Sequence, residues 1–349
     1  KHPRVTVWTN TRLVRAEGES NAIRTTLHQF ARYIDLTKCT ACGDCIDACP
    51  VTVTGTDRKA IYLMNGTQPE CAAIDKQGQA PCTNACPGGI PVQGYVALIA
   101  QGRYREALDL IESAIPFPGI CGRVCTHPCE EICRRSDVDT PVAIRALKRF
   151  VADWAIRQPA KKTVKKNVDT PNAKKVAIIG SGPAGMTVAD RLARLGHRIT
   201  VFEKLPVIAG MMGIGIPAYR LPREVIAREY RRIRDLGVEI CLNTAIGLNG
   251  EHSIDDLFDR GFNAVCLAIG AHKSLELHIP GESLSGVVQG IELLKTISLS
   301  QQLDDPTYQN GLDQVLRHGA ARRAVVLGGG NTAMDTARSM KRLGISDVR

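Results

Sequence analysis

Three features of the 349-residue chain predict an α/β protein preceded by a cysteine-rich, partly helical region. Two strand–turn–helix units share one pattern of glycines. Eleven of the thirteen cysteines crowd between Cys39 and Cys133, ahead of both units. A basic, proline-containing stretch separates the two parts. The first unit is the better defined. Residues 176–179 form a short apolar run of β type, and Gly180, Gly182 and Gly185 then turn the chain into a helix-patterned segment that stops near Gly196. A second β-type run, 199–202, ends on Glu203. Each feature suits a bound dinucleotide. Gly180 permits a tight turn, Gly182 lets backbone approach a pyrophosphate, and Gly185 lets helix and strand pack closely. The free N–H groups and dipole at a helix start favour phosphate. Ser181, Pro183 and Ala184 complete the turn, Glu203 is placed to accept from a ribose hydroxyl, and Lys204 follows it.

Ahead of this unit the chain reads in order as follows. Short β-type runs fall at 5–8, 13–16 and 22–27, with a turn expected at Gly18–Asn21. Cys39, Cys42, Cys45 and Cys49 then form Cys-x2-Cys-x2-Cys-x3-Cys-Pro, the ferredoxin run for a [4Fe–4S] cubane. Three thiolates within seven residues wrap three corners of one cube, whereas zinc takes two separated cysteine pairs. The fourth cysteine of such a run ligates the neighbouring cluster in two-cluster ferredoxins, so Cys49 is open to either site. Cys71 stands alone. Cys82 and Cys86, in Cys-x3-Cys-Pro, match the closing half of a second cluster motif.

Residues 90–110 are helix-patterned around a turn at Gly102, and Cys121, Cys125, Cys129 and Cys133 follow at intervals of four. That interval suits one helix face, but Gly122 and Pro128 argue for a loop folded over a cluster. His127 reads as a local hydrogen-bonding residue. Eleven cysteines suffice for two cubanes with three to spare, or for three with one corner of another kind; three is the expectation. Cys241 and Cys266 sit in apolar runs and read as core. Residues 142–154 form an amphipathic helix, and 157–175 is the clearest linker.

Beyond the first unit, residues 209–222 hold Gly210, Met211, Gly213 and Gly215 in a loop able to lie flat against a ligand. Residues 224–236 are helical, and the buried strand 264–269 ends in a turn at Gly270, where a cofactor would meet backbone. The second unit, Gly328, Gly329, Gly330, Asn331, Thr332 and Ala333, then repeats the first. Gly328, Gly330, Ala333 and Gly344 each lie 148 residues beyond Gly180, Gly182, Gly185 and Gly196, and Arg322 and Arg323 match Lys174 and Lys175. Two such units imply two nucleotides, most economically a flavin and a nicotinamide. The position equivalent to Glu203, which would separate NAD from NADP, falls just past Arg349. Because the chain starts at Lys1 and stops as a new strand begins, it is expected to be an internal piece of a longer polypeptide.

The net charge of +10 is concentrated in 157–175 and aromatics are only 4%, so nucleic-acid binding is not expected. No apolar run approaches the ~18 residues of a membrane span. With no secretory signal, the cysteines read as metal ligands in a cytoplasmic protein.

From Pro81 onward the chain resembles the small (beta) subunit of glutamate synthase and its relatives, among them the flavin–nicotinamide region of dihydropyrimidine dehydrogenase and the large subunit of bifurcating transhydrogenases. The stretches that carry this are PCTNACPGGIPVQGYVALIAQGRYREAL, CGRVCTHPCEEICRR, PVAIRALKRFVADWA, GSGPAGM, GIPAYRLP, IPGESLSGV and GGGNTAMD. Residues 1–80 are instead similar to the ferredoxin insert of heterodisulfide reductase A subunits, through ARYIDLTKCTACGDCIDACP and RKAIY. The resemblance implies FAD at the first glycine turn, with an inserted NAD(P)-binding domain that starts at the second, and [4Fe–4S] clusters on the cysteines. It departs from the family where the usual cysteine pair just upstream of Cys82 is replaced by Cys71. The implied division is 1–36, the tail of a preceding flavin domain; 37–80, ferredoxin-like; 81–157, a helical iron–sulfur domain; 158–174, linker; 175–321, FAD-binding; and 322–349, the start of the NAD(P)-binding domain. The implied function is that of an iron–sulfur flavoprotein oxidoreductase subunit. It would exchange electrons with a partner subunit or a ferredoxin, in an oxygen-sensitive complex, with electron bifurcation as one form of that exchange. The alternatives are a glutamate synthase small subunit and a non-catalytic relay or scaffold.

Overall fold

The computed structural model describes residues 8, 10–19, 22–30, 32–49, 51–53, 55–64, 71–75, 79–158, 172–247, 252–311 and 323–349. Most of the expected run at 5–8, the turn residues Ser20 and Asn21, most of the linker and Arg322 therefore lie outside the described residues. The chain forms two compact units. Residues 1–89 and 128–142 make the first, and residues 90–127 and 143–349 make the second.

In the first unit, β1 (Thr11–Glu19) and β2 (Ala22–Gln29) pair as an antiparallel hairpin. Two short strands, β3 (Ile61–Leu63) and β4 (Ala72–Ile74), pair antiparallel as well. The backbone amide of Ile74 donates to the Arg32 carbonyl at 3.1 Å, which ties residue 32 to this small sheet. Three one-turn helices complete the unit: α1 (Asp44–Asp47), α2 (Pro81–Asn84) and α6 (Pro128–Glu131). Of these, α2 and α6 pack together.

The second unit starts with four helices: α3 (Val92–Ala100), α4 (Tyr104–Ala114), α5 (Pro118–Val124) and α7 (Ile144–Ile156). Gly102, at φ +72°, breaks α3 from α4 where the sequence placed a turn. The fully buried Tyr95 donates to the Ile144 carbonyl at 3.2 Å.

The core of this unit is a parallel sheet of β5 (Lys175–Ile179), β6 (Arg198–Phe202), β7 (Glu239–Cys241) and β8 (Ala264–Leu267), in the order β7-β6-β5-β8. Strand residues alternate between faces, and both faces are covered, which accounts for the apolar runs read in the sequence. Val176, Ile178, Ile199 and Val201 face α8 (Pro183–Arg194) and α10 (Arg223–Arg234), where Met186, Ala189, Val225, Tyr230 and Ile233 complete one cluster. Ala177, Ile179 and Phe202 meet Leu257 of α11 (Ile254–Asp259) and Phe262 on the other face. The order of strands reverses between β5 and β8, and ligands of open α/β sheets bind at the carboxyl ends of strands at such a switch point.

Two further helices are α9 (Met211–Ile214) and α12 (Gly290–Gln302). Then β9 (Arg323–Ala324), α13 (Asn331–Arg342) and β10 (Asp347–Val348) form a second strand–helix–strand unit, with β9 and β10 parallel. Among the described residues no helix is long and apolar enough to cross a membrane.

Candidate nucleotide and iron–sulfur sites

The first glycine turn lies at the switch point. Gly180, at φ +107°, donates its N–H to the Phe202 carbonyl at 2.8 Å, and a Cβ there would stand 2.4 Å from the Ala268 carbonyl oxygen. A Cβ on Gly185 would stand 2.1 Å from the Gly180 oxygen, so the helix touches the strand only because that side chain is absent. Gly182 is different. A Cβ there would meet no protein atom within 4 Å, while Gly210, at φ +51°, approaches Gly182 Cα from the opposite side. The turn therefore leaves an open cradle at the start of α8, beside the exposed Pro183 and Ala184. Its free N–H groups and the positive end of the helix dipole fit a pyrophosphate.

Glu203 is buried, only 4% exposed. One of its oxygens accepts from the Ser181 N–H (2.9 Å) and hydroxyl (2.7 Å), and the other accepts from the Leu205 N–H (2.9 Å). The Ser181 hydroxyl in turn accepts from the Ala209 N–H at 3.1 Å. The carboxylate thus fixes the glycine turn from behind, in addition to the ribose contact expected of it. Lys204 is exposed beside it and, after burial itself, is the main cause holding His272 below its usual pKa. Met211 opens α9, and Gly270, at φ +65°, follows β8.

Tyr230 is a residue the sequence did not single out. Its hydroxyl donates to the Ser181 carbonyl at 2.7 Å, and its ring stacks on Phe117 at 5.6 Å. Beside it, buried Glu229 accepts from the N–H groups of Gly119 and Ile120 at the start of α5. Nothing local marks either residue, since both are ordinary positions on an amphipathic helix.

In the second unit Gly328, at φ +124°, makes the tight turn, and its Cβ position lies 3.4 Å from the Ala333 methyl. Gly329 and Gly330 have open space where side chains would be, and Asn331 and Thr332 begin α13 on an exposed face. The same donor geometry is therefore built twice.

The cysteines of the first unit fall into two groups. Ala41 (φ +59°) and Gly43 (φ +92°) bend the first run into a loop. The Cys39 sulfur accepts from the Ala72 N–H at 3.4 Å, and this contact with a second from Ala41 holds its thiol below the usual pKa. Cys71 directly precedes Ala72, so it belongs with this loop. Cys42 is exposed, Cys45 is half-buried, and Cys49 is buried beside Val53 and Ala60. Cys82 lies on α2, with Cys86 just past its end; Cys129 lies on α6, with Cys133 just past it. Burial raises the Cys82 thiol, and the neighbouring Cys133 and Cys86 add to the shift.

Cys121 and Cys125 belong to the second unit. The expectation of a loop from Cys121 to Cys133 is corrected in part. Cys121 is inside α5, and Cys125 ends it in an extended conformation. Gly122 is no helix breaker here. It is buried in α5, and a Cβ would stand 2.7 Å from Arg149 Cα on α7. His127, at φ +54°, donates its N–H to the Cys125 sulfur at 3.3 Å, a local role as expected. Cys241 and Cys266 pack against the two core clusters of the sheet.

Among the described residues no three such side chains converge on a point as ligands of a single ion do. A cubane takes one thiolate on each iron, so its ligands stand a cluster's width apart. The donor set, thiolates met by backbone N–H groups, fits that group.

The chain's domains match known families. Residues 174–349 match the family model for pyridine nucleotide-disulphide oxidoreductases. Residues 58–160 match that for dihydropyrimidine dehydrogenase domain II with its 4Fe-4S cluster, and residues 32–52 match a 4Fe-4S binding domain. Over 290 residues the chain is 38% identical to the NADP(+)-dependent formate dehydrogenase subunit beta of Moorella thermoacetica, covering 77% of this chain and 39% of that protein. It is 38% identical over 283 residues to the NADPH-Fe(3+) oxidoreductase subunit beta of Geobacter sulfurreducens, covering 78% and 38%. It is 32% identical over 271 residues to the glutamate synthase [NADPH] small chain of Mycobacterium tuberculosis, covering 75% and 52%. The chain thus spans roughly two-fifths to half the length of these relatives. The cofactors that go with its matched domains are [4Fe–4S] clusters, FAD and NAD(P)H. With half its length in one matched family and two iron–sulfur domains ahead of it, the chain belongs to the pyridine nucleotide-disulphide oxidoreductases, as an iron–sulfur-carrying member.

Proposed function

We propose that the chain is the electron-entry part of a cytoplasmic oxidoreductase complex, exchanging electrons between NAD(P)H and a partner subunit or a ferredoxin. FAD is assigned to the first glycine turn with Glu203, Lys204, Gly210, Met211 and Gly270 around it, and the nicotinamide nucleotide to Gly328–Ala333. The observation that carries this reading is the pairing, in one chain, of two open glycine cradles with cysteine-rich cluster domains. When bound, a flavin accepts a hydride from a nicotinamide and releases its two electrons singly, which is what iron–sulfur clusters require.

The protein's own part is positional. Ser181, fixed by Glu203 and Tyr230, holds the first cradle rigid. The glycines let phosphates reach the backbone. No general base is needed, and none is assigned. The relatives whose names include a formate dehydrogenase and an iron(III) reductase subunit support service to a partner rather than to one fixed acceptor.

The test is an anaerobic titration of the cofactor-loaded protein with NADH and, separately, NADPH, following flavin absorbance and the paramagnetic resonance of reduced clusters. Flavin bleaching followed by cluster signals is the expected result, and the better reductant fixes the nucleotide. Clusters that dithionite reduces but neither nucleotide does would leave a relay subunit in place of this reading.

A further inference from the structure

Arg32 is only 7% exposed. Its Nη1 donates to the Cys71 sulfur at 2.7 Å and to the Met64 sulfur at 3.2 Å, while its Nη2 is buried with no hydrogen-bond partner. Among the described residues no carboxylate lies within ion-pair distance of it. A buried guanidinium without an anion is costly, so its surroundings must supply negative charge when the site is complete. Among the described residues, its side-chain hydrogen bonds go to sulfur alone. Cys71 itself is 2% exposed and directly precedes β4, where its carbonyl accepts from the N–H of Met64, the residue after β3. The next residue, Ala72, donates to the Cys39 sulfur. Cys71 is thus built into the loop of the first cysteine run. Cys82 and Cys86 sit instead with α6 and its Cys129 and Cys133.

Cys39, Cys42 and Cys45 suit three corners of a cubane, and in two-cluster ferredoxins the fourth cysteine of such a run serves the other cluster. Cys49 turns its thiol toward the Val51 carbonyl, within its own small apolar cluster. We propose that Cys71 is the fourth ligand of the cluster held by Cys39, Cys42 and Cys45, and that Arg32 is a positioning residue whose charge sets that cluster's potential. A thiolate-ligated cubane is anionic, and a buried cation on a ligand sulfur stabilises the reduced form and raises the potential. The assignment rests on the iron–sulfur reading but not on the nicotinamide route.

The test uses cofactor-loaded protein reduced with dithionite. Cys71→Ala is expected to lose one cluster's worth of iron and the same resonance signal that Cys42→Ala loses, while keeping the signal lost in Cys86→Ala. Arg32→Gln is expected to keep its iron but shift that signal to a more negative potential in a redox titration, with Arg32→Lys restoring most of the shift. Loss of the Cys86-dependent signal on Cys71→Ala, or full iron retention, would overturn the ligand assignment. An unmoved potential in Arg32→Gln would overturn the role of Arg32, and that measurement stands even where Cys71→Ala does not fold. Dithionite supplies the electrons, so failure of NADH and NADPH to reduce the flavin would sink the proposed function without touching this result.

Discussion

At the scale of single residues, the buried carboxylates divide by what surrounds them. Glu203 meets three donors and acts as a strut behind the glycine turn. Glu229 meets two N–H groups of α5, with Arg232 nearby and Glu112 opposing, yet burial dominates and its pKa is pushed up to about 7 from 4.5. An acid whose pKa is raised on folding binds protons more tightly in the native state. Its stabilising contribution is therefore full below about pH 4.5 and is lost as pH climbs toward about 7. The shift corresponds to about 3 kcal/mol in all. Glu229→Gln should flatten that slope, which denaturant unfolding of the loaded protein between about pH 5 and pH 8 would measure. Equal slopes for variant and parent would show that the carboxyl stays ionised throughout.

At the scale of elements, what was legible in the sequence had a local cause. Gly180 must be glycine because its own φ is positive, and Gly102 breaks two helices for the same reason, so both turns could be read from the chain alone. The continuous apolar run that assigns residues 176–179 to a doubly covered strand is local too. Gly122 was misjudged because its reason is tertiary: it lets α5 lie against the backbone of α7 at Arg149. Glu229, Tyr230 and Arg32 were missed likewise, since each is defined by a partner far away in sequence: Gly119, Ser181 and Cys71. The cysteine spacings pointed to cluster chemistry, but which distant cysteine closes which set depends on the β3–β4 pairing, which no spacing encodes. The packing of α5 on α7 makes a sharp prediction. Gly122→Ala, usually mild in a helix, must push backbone from backbone and should cost about 1–3 kcal/mol. Thermal unfolding of the loaded protein measures it, and a midpoint equal to or above the parent's would mean that the helices can part freely.

At the scale of the molecule, a hydride route needs the second dinucleotide unit held in a fixed attitude to the first. The described residues supply one fastening between α13 and the loop 217–222, which follows α9. Arg220 forms an ion pair with the buried Asp335, and the Tyr219 hydroxyl donates to the Asp335 carbonyl at 3.3 Å. The Arg342 guanidinium lies over the Tyr219 ring at 3.8 Å. The two ends of the loop are tied to each other and to α12, because Arg223, which opens α10, donates to the carbonyl of Ile216 just before the loop and to the Ser298 hydroxyl, both at 2.8 Å. Between loop, α12 and α13 a cavity of about 270 Å³ leaves the apolar packing incomplete, so the polar fastening carries more of the alignment than a filled core would require. Removing one partner of a fully buried ion pair costs about 3–5 kcal/mol, because the other charge is stranded, and this pair, with Arg220 a quarter exposed, falls below that range. Asp335→Asn should therefore loosen α13 while leaving the first glycine turn, with its Ser181–Glu203 contacts, intact. Bound flavin and its absorbance should stay as in the parent, but flavin reduction by the preferred nicotinamide should slow by about tenfold or more, since even 1.4 kcal/mol of lost alignment reaches that factor. Rapid-mixing kinetics under anaerobic conditions would read it. A parental rate in Asp335→Asn would place the alignment elsewhere, and flavin loss would mean that the fastening supports the first site as well as the second.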